Sequence, residues 1–356
     1  MAGTGGGDAA QVRSDVVAAL RRAAYLLERG GATSYRADAF RAAVRSLERL
    51  DAGELVARIG AGTLTDLPGV GARTAEVAAA AAAGGAVPYL VDLEQRYPAA
   101  EATGAGADLR AALRGDLHAH TEASDGSTTA QEMVLAAMEL GHEYLAITDH
   151  SPRLTVANGL SPARLRAQLD ALDALNRAIA PFRVLTGIEV DILDDGALDQ
   201  EPELLDRLDV VVASVHSKLR MDRAAMTRRM RAAVANPRVD VLGHCTGRQL
   251  TGKRQRPQSE FDAAAVFADC AEHGVAVEIN CRPDRLDPPH ALLDVAVDAG
   301  CLVTIDTDAH APGQLSWQPV GCDRAAAHGI GPDRVLDAWP LDHLLGHLDG
   351  RRVTPV

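Results

Sequence analysis

Two histidines with a single residue between them, His118 and His120, stand in the stretch GDLHAHTEASDG (residues 115–126). On an extended strand, residues two apart share a face, so the two imidazoles project side by side, as two ligands of one metal ion must. A His-x-His pair is common by itself; the residues that follow it give it weight. All 12 histidines lie at or after His118. Further along, Asp125 falls in SDG, His150 in TDH, Glu189 in GIE, His216 in SVH, His244 in GH, and Asp308 and His310 in DAH. Imidazole nitrogens and carboxylate oxygens are hard or borderline donors that suit Zn2+ or Mn2+. Clustered divalent cations suit phosphoester hydrolysis. They lower the pKa of a bound water and stabilise attacking and leaving oxygens together, with no Ser or Cys nucleophile required. Arg248, Arg282 and Arg285 follow strand ends, where they could clamp phosphate oxygens. The remaining histidines (His142, His273, His290, His328, His343 and His347) fall on helices or surface loops and read as structural or solvated.

The elements that must position these donors form an alternating pattern. Val/Ile/Leu-rich runs predict strands at 116–120, 144–148, 183–190, 210–216, 239–244, 275–280 and 301–305. Helical periodicity falls between them, at 129–140, 162–179, 201–208, 223–235, 261–272 and 290–299, with a last helix at 332–348. Strands separated by helices predict an α/β fold with a parallel sheet closed into a barrel, whose functional residues sit at the C-terminal strand ends. Nearly every such end here carries a histidine or an acid.

Residues 1–10 are Gly/Ala-rich and expected to be disordered. Helices are expected at 15–28, where Ser14 could cap, at 35–50 and at 52–59. The stretch LTDLPGVGARTA (residues 64–75) then leads into a helix reaching about residue 83. A hydrophobic-Pro-Gly-hydrophobic-Gly turn between two helices is the helix-hairpin-helix pattern. Its glycines let the backbone approach a phosphate, and the free amides heading the second helix can donate to it. Gly69, Val70, Gly71, Arg73 and Thr74 are thus the candidate DNA-backbone contacts, reading phosphates and not sequence. The expected layout is a small all-α domain over 11–100, a linker with a short helix over 101–113, and the barrel over 114–350.

Composition sets bounds. The chain has 356 residues and a formal net charge of -13. The first 100 residues hold equal numbers of acids and bases, so the whole excess falls on the histidine-rich part. That is how a divalent-cation site reads before its cations are added, and it is unlike a generic nucleic-acid coater. Five cysteines without a C-x-x-C pairing argue for a reducing compartment, and a cytoplasmic location is expected. The start, MAGTGGGDAA, lacks a signal peptide's apolar segment, and no apolar run is long enough for a membrane span. Nothing indicates an oligomeric state.

The order HxH, SDG, TDH, GIE, SVH, GH and DxH resembles the polymerase and histidinol phosphatase (PHP) family, over about residues 114–350. GHCTGRQLTG and EINCRPDRLD are similar to stretches of the PHP domain that closes bacterial family X DNA polymerases. The resemblance implies a distorted (β/α)7 barrel with a trinuclear metal centre. His118, His120, Glu189 and Asp308 would hold one ion. Glu189 would bridge to a second, held also by His216 and His244, and Asp125, His150 and His310 would hold a third. Residues 11–100, including SYRADAFRAAVRSLERL and the hairpin, resemble the small helical domain that opens family X polymerases. Polymerase beta-like members carry a lyase lysine there. This segment has no lysine, so lyase chemistry is not implied. Only about 15 residues separate it from GDLHAH, leaving no room for polymerase fingers and palm. The expectation is a metal-dependent phosphoesterase acting on DNA in repair, as a 3′-5′ exonuclease or 3′-phosphatase. The alternatives are a small-molecule phosphatase of histidinol-phosphate or nucleotide type, and a non-catalytic DNA-binding adaptor.

Overall fold

The computed structural model describes residues 5–31, 34–251 and 255–353. The chain divides into two compact units, Met1–Ala99 and Ala100–Val356.

The first unit is all-helical: α1 (Gly5–Arg29), α2 (Ser34–Leu47), α3 (Ala52–Ala61), α4 (Ala72–Ala82) and α5 (Pro88–Arg96). Val16, Leu20, Leu27, Phe40, Leu47 and Leu55 build its core. Asp51 caps α3 by accepting from Glu54 N at 2.8 Å. Helix α1 starts at Gly5, which corrects the disorder expected over residues 1–10; residues 1–4 lie outside the described residues. The polar segment around Asp8 continues a long amphipathic helix, and Asp8 in its first turn suits the helix dipole.

The second unit holds seven parallel strands in sequential order: β1 (Gly115–Asp116), β2 (Tyr144–Ile147), β3 (Arg183–Asp191), β4 (Val210–Ser214), β5 (Val241–Leu242), β6 (Ala276–Asn280) and β7 (Val303–Asp306). A parallel bridge between Ala119 and Ala309 brings the first strand's continuation to the last one's, so the sheet is a nearly closed barrel. The helices are α6 (Ala105–Ala112), α7 (Ala130–Glu139), α8 (Pro162–Ile179), α9 (Pro202–Leu205), α10 (Arg223–Val234), α11 (Ala263–His273), α12 (His290–Asp298), α13 (Gln318–Ala327) and α14 (Leu341–Val353). Helix α6 lies within the segment expected as linker and packs on α13, so that segment is part of the barrel unit.

Most element boundaries follow local chemistry. Helix α8 matches expectation: Ser161 caps it by accepting from Arg164 N, and Pro162 takes the first turn. Two expectations fail. The helix expected at 332–348 is instead two short 3-10 turns (332–334, 336–338) followed by α14; Pro340 prevents its predecessor from continuing a helix. Helix α13 was not expected, because QPVGCDRAAA contains Pro and Gly and lacks a clear apolar stripe.

Strands β1 and β5 are two residues long, where runs of five and six were expected. The reason lies at the rim. Leu117 N donates to Asp306 Oδ1 (2.7 Å), His118 N to Asp116 Oδ1 (3.0 Å), Ala119 N to Thr148 Oγ1 (3.0 Å), and His244 N to a Glu278 oxygen. Buried side chains take the amides that ladder partners would take. The strands therefore stop, and their continuations are free to aim His118, His120 and His244 inward.

Candidate metal centre

Glu189, near the end of β3, is the hub. It is buried, and five imidazole nitrogens surround its two oxygens. His118 Nε2, His120 Nε2 and His150 Nδ1 lie 3.4, 3.5 and 2.8 Å from Oε2. His216 Nε2 and His244 Nε2 lie 3.2 and 2.8 Å from Oε1. Asp308 Oδ1 stands 3.4 Å from His120 Nε2, while Asp125 Oδ1 stands 3.5 Å from His150 Nε2 and 3.4 Å from His310 Nε2. All nine expected donors thus converge on one pocket at the C-terminal rim.

Three sets have donor atoms within 4.8 Å of one another: His120, Asp125, His150 and His310; His118, His120 and Glu189; and His150, Glu189 and His216. This differs from the expected partition: Asp308 and His244 fall in none of the three sets, and two residues take extra places. His120 also joins the Asp125 set, and His150 also faces Glu189, because its two nitrogens point to different carboxylates.

The donors are poised for cations and not for each other. Both oxygens of Glu189, both nitrogens of His120 and His244, His118 Nε2 and His150 Nδ1 are buried without an aligned hydrogen bond. Burying so many polar atoms unsatisfied would cost on the order of 1–3 kcal/mol each. A shared positive ligand removes that cost, so the donor set fits divalent ions.

Two of the rings, and the carboxylates beside them, are held from behind. His118 Nδ1 donates to Glu278 Oε1 at 2.6 Å, leaving Nε2 to face Glu189. His216 Nδ1 donates to Asp191 Oδ1. Asn280 Nδ2 donates to Asp308 Oδ2 at 3.2 Å. Asp149 anchors the loop carrying Asp125, accepting from Thr121 N (2.8 Å), Thr121 Oγ1 (2.7 Å) and Ser124 Oγ (2.5 Å). Outer partners of this kind set tautomer and orientation in metal sites. Sequence reading passed over Glu278, Asp191 and Asn280. Asp191 and Asn280 end β3 and β6, and Glu278 is the middle residue of β6; a polar residue in a buried strand was the only signal available.

Electrostatics follow from the crowding. Burial acts to raise the Glu189 carboxyl, but His216, His150, His118 and His244 hold it well below its usual range. Burial acts to lower His216, but Glu189 and Asp191 raise it to about 9. Burial, then His310 and His150, push His120 well down. Strain gathers at the same rim. The four described non-glycine residues with positive φ (Asn158, Lys218, Leu286 and Asp308) all lie in loops after strand ends, which is where functional strain is found.

The three arginines divide. Arg282 Nη1 lies 3.6 Å and Arg285 Nε 3.4 Å from Asp308, beside the pocket. Arg248 instead donates to the carbonyls of Arg285 and Leu286, which corrects its expected role: it holds the loop that carries the other two. The hairpin divides as well. Val70 and Thr74 are buried, and Thr74 Oγ1 donates to Gly71 O and accepts from Gly71 N, so these two side chains shape the turn instead of facing a phosphate. Gly69 has φ 79 and passes close to Ala42, while Arg73 is exposed at the head of α4 and lies over the Tyr89 ring.

A nearly closed seven-stranded parallel barrel with this rim of imidazoles and carboxylates has the architecture of a PHP-type hydrolase. Residues 116–282 match the PHP domain family and residues 12–86 match the helix-hairpin-helix domain family. The chain is 38% identical over 229 residues to the DNA polymerase/3'-5' exonuclease PolX of Bacillus subtilis, covering 64% of this chain and 40% of that protein. It therefore spans less than half the length of that relative. It is 28% identical over 251 residues to the probable phosphatase YcdX of Escherichia coli, covering 68% of this chain and 96% of that protein. A solved histidinol phosphate phosphatase from Lactococcus lactis, complexed with zinc, L-histidinol and phosphate, matches at 18% identity and TM-score 0.45, over 62% of this chain and 94% of that one. Among the described residues no helix is long and apolar enough to cross a membrane.

Proposed function

We propose that the protein hydrolyses phosphoester bonds at DNA 3′ ends, as a 3′-5′ exonuclease or 3′-phosphatase, with three divalent cations, Zn2+ or Mn2+, in the pocket around Glu189. The observation that carries the metal reading is the group of buried, unsatisfied donor atoms converging there. His118, His120, Glu189 and Asp308 would hold one ion, Glu189, His216 and His244 a second, and Asp125, His150 and His310 a third. Bound there, such ions supply hydroxide at neutral pH and neutralise phosphate oxygens. The chain's own residues do the rest. Glu278 and Asp191 keep the His118 and His216 tautomers that leave Nε2 free. Arg282 and Arg285 place cationic nitrogens beside Asp308, within reach of a phosphate oxygen.

The DNA reading is supported by the hairpin, whose α4 amides head a helix of 11 residues and can donate to a backbone phosphate. A cleft of about 690 Å3 beside it is lined by Tyr35, Arg36, Arg73, Tyr89 and Arg96 among others. Arginines interleaved with aromatics suit phosphates and unstacked bases. The similarity to PolX, over 64% of this chain, agrees. A second reading, a small-molecule phosphatase, is favoured by the net charge of -13 and by the match to nearly all of YcdX. The two separate in one panel. The Mn2+-loaded protein is offered recessed and single-stranded DNA, 3′-phosphorylated DNA and small phosphomonoesters, with its metal content measured in parallel. Release of nucleotide or phosphate from DNA supports the proposal. Rapid turnover of small esters with intact DNA rejects it.

A further inference from the structure

The loop over residues 151–160 leaves the rim directly after His150 and is tightly strapped. Ser151 N donates to Glu189 O at 3.0 Å, and Leu160 N returns to His150 O at 2.7 Å. Asp199 Oδ2 accepts from Ser151 Oγ (3.0 Å) and Arg153 N (2.6 Å). The Arg164 guanidinium donates to Asn158 O (2.7 Å), to Gly159 O (3.1 Å) and to Ala123 O, two residues before Asp125. Asn158 is left-handed at φ 56, and a Cβ on Gly159 would fall 1.8 Å from Ser151 O. The loop is thus fastened to the segments bearing His150, Glu189 and Asp125, and its path leaves no room for a larger residue at its close.

This frame buries Ala157 and Leu160 yet exposes Val156 by 92%, the highest exposure of any described large hydrophobic residue. Arg153 on the same loop is also exposed. A lone exposed apolar side chain on an ordinary surface needs no explanation. One carried on a tightly braced loop that leaves the rim directly after His150, with a cation three residues away, suits a ligand that has an apolar face and a repeating negative charge. A nucleic-acid strand has both.

We infer that loop 151–160 is a strand-contacting finger. Val156 packs on the base or sugar adjoining the scissile phosphoester, and Arg153 pairs with a neighbouring backbone phosphate. The inference rests on the DNA reading above and deepens it. A small phosphomonoester fills only the pocket around Glu189 and does not reach the finger.

The test uses the full chain loaded with Mn2+, a single-stranded oligothymidylate and p-nitrophenyl phosphate. Val156→Ser and the double variant with Arg153→Ala alter exposed side chains outside the pocket. Val156→Ser should raise KM for the oligonucleotide about tenfold, the worth of burying a valine side chain, with kcat within about twofold. Adding Arg153→Ala should raise KM further and lower the slope of log affinity against log salt by about one. Turnover of p-nitrophenyl phosphate should not change. Unchanged oligonucleotide KM, or a parallel loss on both substrates, overturns the finger while leaving the DNA reading intact. A wild-type protein that releases neither nucleotide from the oligonucleotide nor phosphate from its 3′-phosphorylated form overturns both.

Discussion

Replacing Glu278 by Gln tests the site without touching a proposed ligand. Glu278 is fully buried and accepts three hydrogen bonds, from His118 Nδ1, His244 N and Asn280 Nδ2. Glutamine keeps the shape but turns one accepting oxygen into an NH2 donor. If that donor faces His118, the ring must present Nδ1 as an acceptor and move its proton to Nε2, the nitrogen that faces Glu189. If it faces His244 N, two donors meet and a buried backbone amide loses its partner. The first outcome should weaken metal binding about 10- to 100-fold, the usual effect of losing an outer-sphere partner. The second should cost about 1–3 kcal/mol of stability. Metal affinity is measured by titration calorimetry on chelator-stripped protein, and stability by urea unfolding of the same stock. Affinity within twofold of wild type, with stability also unchanged, would refute the argument that Glu278 orients His118.

Stripping the protein with a chelator should abolish phosphoesterase activity and lower Tm; ions present at 100 times their Kd stabilise by about 2.7 kcal/mol, and adding Mn2+ back should restore both in calorimetry and assay. His142, buried with Nε2 donating to Gln318 Oε1 at 2.9 Å, is pushed down to about 4 by burial and then by Arg110. Between an unfolded pKa near 6.5 and the folded value, the unfolded chain binds a proton that the folded protein refuses. Stability therefore falls as pH drops through that window, by up to roughly 3 kcal/mol, and His142→Gln should flatten that part of the metal-free protein's pH–stability curve. Arg229, fully buried, donates to the carbonyls of Ile192, Leu193 and Ser217, so Arg229→Met should cost about 3–5 kcal/mol in urea unfolding by stranding them. Arg73→Ala should weaken DNA binding evenly across sequences and reduce the salt slope by about one, read by fluorescence anisotropy.

Much of this site was legible before any coordinates. A ligand's residue type is a local property, and the βα alternation says which ends of the strands meet. The structure brings the nine donors read from the motifs to one rim. The hairpin was equally legible, since Gly69 and Gly71 mark a turn that few other sequences form. What escaped were the residues that act through others. Glu278 and Asp191 look like ordinary strand acids until their rings lie beside them. Arg248 looked like a phosphate clamp, and only the carbonyls of Arg285 and Leu286 show it to be a strut. The short β1 and β5 were unreadable for the same reason: the acceptors that end them come from 29 to 189 residues away, except at His118.

By itself, then, the sequence determined the donor chemistry, the seven strand-and-helix repeats and the Gly-Pro hairpin, because each is encoded in residue type and short-range spacing. Tertiary structure alone decided which imidazole faces which carboxylate, which arginines reach the pocket and which tautomer each ring holds. Those depend on hydrogen bonds between segments far apart in the chain, and side-chain acceptors competing with the strand ladder leave no periodic trace.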